Sequence, residues 1–176
     1  MPDLRYPIGP FVKPDAPTSQ SRERDIEAIA KTPAHLRAAV EGLDEDQLDT
    51  PYRDGGWTLR QVVHHVPDSH LNAYVRLKLA LTEPAPVIKP YDEAAWAELI
   101  DTTSVPVDVS LTLLDALHSR WVALWRAMKE GDFRREYVHP ETGRHELDYM
   151  LALYAWHGAH HVAHITSTRD RLGWGR

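Results

Sequence analysis

The apolar positions of the chain fall into four long stretches with helical periodicity, separated by breaks rich in proline and glycine. The first runs from about Ser19 to Val40, with Ile26, Ile29, Ala30, Leu36 and Val40 recurring at roughly helical spacing. Pro33 is expected to kink or interrupt it, and Gly42 to stop it. The second begins at Thr58, which pairs with Gln61 as a capping box. It carries Val62, Val66, Tyr74, Leu77 and Leu81 toward Pro84 and Pro86, with a bend expected at Pro67. The third spans about Ser110 to Lys129, with Leu113, Leu114, Leu117, Trp121, Leu124 and Met128 as its stripe. The fourth runs from about Glu146 to Arg171, ending before Gly173. The intervening sequence predicts a helical turn at Asp44 to Leu48, a loop through Pro51 and Asp54-Gly55-Gly56, and a short helix from Asp92. A small hairpin is expected within 133–145, around Pro140-Glu141-Thr142-Gly143. Ahead of all this, Pro2, Pro7, Pro10, Pro14 and Pro17 predict an extended arm over residues 1–18. Its apolar residues, Leu4, Tyr6, Ile8, Phe11 and Val12, predict packing on this domain or on a neighbouring subunit. The pattern as a whole predicts an all-α four-helix bundle: an arm over 1–18 and one bundle domain over 19–176.

Composition narrows the function classes. The chain has 176 residues, 43% apolar and 26% charged, which fits one globular domain. Its net charge is −6 and no basic cluster interrupts the acidic balance, which argues against a nucleic-acid partner. No apolar run approaches bilayer-spanning length, and the start lacks a basic segment followed by an apolar one. A soluble cytoplasmic protein is the expectation. There are no cysteines, so a disulfide, a thiolate metal site and a cysteine nucleophile are all excluded. Thiol chemistry would require a thiol from outside.

Histidine is what remains unusual: eleven in all, four of them between His157 and His164. That segment contains two pairs at i, i+4, His157/His161 and His160/His164, and such pairs share a helix face. Two imidazoles so placed can hold one ion. The seam Met150, Tyr154, His157, His161, Ile165 continues the apolar stripe and makes the better core line, although the neighbouring stripe with His160 and His164 is also usable. A third ligand has to come from another helix, where His64 and His65 are candidates. His65 follows Val62 and precedes Ser69 and Asn72, so it is preferred. His64 stacks with Arg60 and Asp68 and reads as solvent-facing. His35, His118, His139 and His145 are scattered and read as surface residues. The tryptophans read as core, with Trp156 a candidate pocket wall. Three imidazoles would leave a coordination position open, as in catalytic rather than structural sites. Imidazole ligation suits one divalent transition metal per chain, zinc as the first expectation and nickel as the second.

The stretch from Pro51 to His70, including Gly55-Gly56-Trp57-Thr58 and His64-His65-Val66-Pro67-Asp68, resembles the YfiT-like branch of the DinB-like superfamily. So do Tyr6-Pro7-Ile8-Gly9, Pro90-Tyr91-Asp92-Glu93 and the segment Trp156 to Ile165. The resemblance covers almost the whole chain. It implies a four-helix bundle holding one metal through three histidines, which land on His65, three residues before Asp68, and on His157 and His161. It also implies a homodimer and a metal-dependent hydrolase, while related bundles transfer low-molecular-weight thiols such as bacillithiol onto electrophiles. Where many relatives have alanine before the aspartate, this chain has Pro67.

Two chemistries fit such a centre: activation of water against a small-molecule substrate, or activation of an external thiol as cosubstrate. Asp68, His64, His160 and His164 are expected to serve as partners of the ligands or as acid–base groups. A non-catalytic metal-binding bundle is the reading from a different class.

Overall fold

A computed structural model describes residues 3–175. Pro2, the first proline of the expected arm, lies outside the described residues, as do Met1 and Arg176. The helices, in chain order, are α1 (Ser19–Val40), α2 (Glu45–Leu48), α3 (Leu59–Thr82), α4 (Glu93–Ala97), α5 (Ile100–Ser104), α6 (Val107–Ala127) and α7 (Leu147–Leu172). A 3-10 turn at Asp132–Arg134 leads into a hairpin of β1 (Glu136–His139) and β2 (Gly143–Glu146).

Helix starts follow local chemistry. Thr18/Ser21, Asp44/Gln47 and Thr58/Gln61 form reciprocal capping boxes at α1, α2 and α3, each satisfying amides that the first turn leaves without partners. At the other end of α7, Gly173 takes φ 70°, the left-handed conformation that lets the last carbonyls find donors. α6 begins at Val107, earlier than the apolar stripe alone predicts, because Pro106 fixes the backbone just ahead of it. Both internal prolines, Pro33 and Pro67, sit inside uninterrupted helices. Both are buried, so packing on either side holds the helix through the lost hydrogen bond.

The four long helices pack in the cyclic order α1, α7, α3, α6. Consecutive long helices α1 and α3 are therefore diagonal, as are α6 and α7, and the chain crosses the bundle through the α2 segment and the hairpin segment. The core has two apolar clusters. One gathers Ile29, Leu77, Trp121, Trp125, Leu147, Met150 and Leu151; the other gathers Leu36, Leu59, Val62, Val63, Leu111, Leu114 and Ile165. On α7 the residues between Ala155 and Val162 fall between these clusters, and so do the residues of α3 between Val66 and Ala73. The histidines fill this intermediate layer.

The arm is not uniformly extended. Tyr6 N–H donates to the Asp3 carbonyl and Gly9 N–H to the Tyr6 carbonyl, both at 2.9 Å, so it begins with two turns. It then runs along α7 of its own chain. His164 Nε2 reaches the Arg5 carbonyl at 3.2 Å, Trp156 Nε1–H donates to the Gly9 carbonyl at 3.1 Å, and Phe11 meets the Tyr149 ring edge-on at 5.5 Å. These contacts pack the arm on its own domain.

Candidate metal centre

His65 on α3 and His157 and His161 on α7 turn their rings to one point. His157 Nε2 lies 3.3 Å from His65 Nε2 and 3.2 Å from His161 Nε2. One turn of α7 separates the pair, and the direct α3–α7 contact brings the third ring across. His157 Nε2 is within hydrogen-bond distance of both other ring nitrogens, and the one hydrogen or lone pair that a neutral imidazole offers there cannot satisfy both. A cation at their centre resolves that conflict, so the donor set fits a transition-metal ion. Burial holds His157 and His161 well below the ordinary histidine pKa, aided by the neighbouring rings. His65 is brought down to about 4, by burial first and then by His160 and His164. All three are therefore neutral at pH 7, the state that ligation requires. Among the described residues no fourth histidine or carboxylate joins this group.

The trio lies on the wall of a cavity of about 400 Å³, within the usual range for small-molecule sites. Trp57, just ahead of α3, packs on His65 with ring centroids 4.8 Å apart. Tyr154, Met150 and Leu153 supply an apolar lining, and Tyr137 and His139 bring the hairpin to the rim. Arg76 and Glu93 add one charge of each sign, and Glu93 is the one carboxylate of the described residues that lines the cavity. Burial raises the Glu93 pKa, and Arg76 works against that shift.

Other candidates from the sequence lie outside this trio, although His160 lines the same cavity and converges with His161 and His164 in a second group of three ring nitrogens. His64 is buried, not solvent-facing; its Nδ1 lies 2.7 Å from Ser110 Oγ on α6, and Arg60 beside it is buried too, paired with Asp49 and Glu45. Asp68 makes no side-chain hydrogen bond to the trio among the described residues. Its carboxyl is raised to about 6 by burial and by the charge of Asp101 on α5. His160 stacks on Trp156 at 4.3 Å. His164 stands beside the trio, with Nδ1 3.4 Å from His161 Nδ1. His118 is 2% exposed and is not a surface residue. Its Nε2 lies 2.7 Å from His70 Nδ1, and His70 Nε2 lies 3.0 Å from His157 Nδ1. The sequence offered one sign of these two: histidines in excess of any plausible ligand set, two of them on apolar helices.

The fold and the site define a four-helix-bundle protein with three convergent histidines on an open cavity. The chain belongs to the DinB superfamily, whose sequence profile matches residues 28–165. It is 48% identical to the solved structure of YfiT from Bacillus subtilis, described as a probable metal-dependent hydrolase with an unusual four-helix bundle topology. That match has a TM-score of 0.95 and covers 98% of this chain and 99% of that one. A second four-helix bundle protein, TT2238, shares the fold at 20% identity, with a TM-score of 0.55 over 80% of this chain and 94% of that one. A protein of Bacillus mycoides (strain KBAB4) named "Putative metal-dependent hydrolase" is 54% identical over 99% of this chain and 100% of its own length. A protein of the same description from Bacillus cereus (strain B4264) is 55% identical over the same shares. Among the described residues no helix is long and apolar enough to cross a membrane.

Proposed function

We propose that this protein is a metal-dependent hydrolase of a small-molecule substrate, with His65, His157 and His161 holding one divalent ion, zinc before nickel. The observation that carries the reading is the convergence of three neutral Nε2 atoms on the wall of an open cavity. When bound, such an ion supplies Lewis acidity, bringing deprotonation of water, or of an added thiol, into the neutral range. The chain's own groups do the rest. Trp57 and Tyr154 exclude bulk water around the trio. Glu93, with its raised pKa, takes the proton released as the nucleophile attacks. Arg76 on the same cavity holds an anionic part of the substrate.

The test begins with metal content of untagged protein and of His65→Ala, His157→Ala and His161→Ala. Each variant is expected to lose stoichiometric metal, because two imidazoles hold an ion poorly. Zinc-loaded protein is then assayed on a panel of small esters and amides, with and without bacillithiol. Turnover without thiol, absent from the three variants and reduced in a metal-replete Glu93→Gln, is the expected result. Product formed only when the thiol is present would replace hydrolysis by S-transfer. Metal retained in any alanine variant would remove that residue from the ligand set.

A further inference from the structure

Position 33 removes a hydrogen bond from the middle of α1. Proline has no N–H, so the Ile29 carbonyl, four residues earlier, is left without its helical donor. A buried carbonyl in that state needs another partner. His118 of α6 provides it, with Nδ1 at 2.7 Å. A carbonyl only accepts, so the hydrogen of the neutral His118 ring is on Nδ1 and its Nε2 is bare. That bare nitrogen lies 2.7 Å from His70 Nδ1, which must therefore donate. His70 in turn has a bare Nε2, 3.0 Å from His157 Nδ1, which must donate as well. The consequence at the far end is that His157 Nε2 carries no hydrogen, and this is the atom aimed at His65 and His161.

We infer that the Ile29 carbonyl, His118 and His70 form a one-way hydrogen-bond relay that locks His157 in its Nδ1–H tautomer, making His70 and His118 positioning residues of the metal centre. The link to metal rests on the function proposed above; the tautomer is a property of the metal-free protein. The relay crosses three helices, α6, α3 and α7, from a carbonyl on the fourth. The same logic sets His161: His164 Nε2 donates to the Arg5 carbonyl, leaving His164 Nδ1 to accept from His161 Nδ1–H. Outer partners of this kind typically change metal affinity about 10–100-fold when removed.

His118 touches neither the trio nor the cavity, which makes it the position to perturb. Imidazole ¹⁵N chemical shifts of the metal-free protein should show His118, His70 and His157 each protonated on Nδ1 and bare on Nε2. In His118→Leu the His70 hydrogen has no acceptor and moves to Nε2, forcing His157 to carry its own hydrogen on Nε2. Zn²⁺ affinity, read by competition with a chromophoric chelator, should then fall about 10–100-fold. His118→Gln restores a carbonyl acceptor for His70 and should stay within a few-fold of the parent protein. An Nε2–H tautomer at His157 in the parent protein overturns the relay. So does a folded His118→Leu that binds Zn²⁺ as tightly as the parent. If His118→Leu fails to fold, the parent tautomers decide alone. Nδ1–H tautomers in a parent protein that binds no Zn²⁺ would uphold the relay and sink the metal reading instead.

Discussion

Gly158 sits between two of the converging histidines, and replacing it with alanine is the most discriminating test of how α7 is seated. A Cβ at this position would lie 2.5 Å from Thr32 Oγ1, 2.8 Å from Thr32 Cγ2 and 3.2 Å from Thr32 Cβ. Turning the Thr32 side chain cannot clear both γ atoms, and its Cβ does not move with that rotation. Thr32 Oγ1–H is also committed to the Ala28 carbonyl at 2.9 Å. The helices α1 and α7 would therefore have to part. In an open helix interior, glycine to alanine stabilises by about 1 kcal/mol, whereas overpacking a filled core costs about 1–3 kcal/mol. Contact with both γ atoms and the Cβ of a buried threonine puts the overpacking at about 2 kcal/mol, so net of the helix gain Gly158→Ala should destabilise by about 1 kcal/mol. At this chain length that is about 2–4 °C in Tm. In a Thr32→Ala background the γ atoms are gone and the same substitution should be neutral or stabilising, a coupling of at least about 1 kcal/mol. Urea unfolding of the four proteins in the presence of a chelator measures this without metal linkage. Gly158→Ala that stabilises the parent, or four corners that add within about 0.5 kcal/mol, would refute the close approach of α1 to α7.

Other consequences concern the buried charges and the histidine layer. Arg22 donates to Asp148 through Nε at 2.7 Å and Nη2 at 2.8 Å, both side chains being 8% exposed. Asp148→Ala should cost about 3 kcal/mol, the low end for breaking a buried pair, because Arg22 keeps Glu130; a loss under about 1 kcal/mol in urea would mean that the pair is not structural. The metal-free protein should weaken in acid. Above pH 6.5 His65 and His118 are neutral folded or unfolded, but between 6.5 and about 4 the unfolded chain protonates these two rings while burial keeps them neutral in the fold. Each such ring removes about 1.4 kcal/mol per pH unit over that window, and a urea midpoint unchanged between pH 7 and pH 5 would contradict their burial as neutral groups.

Much of the fold was legible in the sequence, because helix formation here is local. The capping boxes, the apolar stripes of Leu and Trp, and the stop at Gly173 act within a few residues, so the four long helices and the bundle class could be read directly. The i, i+4 pair on α7 is local in the same sense. The third histidine is not: choosing His65 over His64 from the stripe agreed with the family resemblance, but only the α3–α7 packing brings its ring to the pair. Packing of α3 on α6 buries His64 against Ser110, which the polar run Arg60, His64, Asp68 had disguised. His118 looked like a surface residue because its partners lie 48 and 89 positions away, and nothing near it in sequence announces them. Pro33 looked like a helix breaker; in the folded chain it frees the carbonyl that His118 occupies. Periodicity records which face of a helix is buried. The identity of the atom facing each donor depends on how helices distant in sequence are laid against one another, and that was decided only by the tertiary structure.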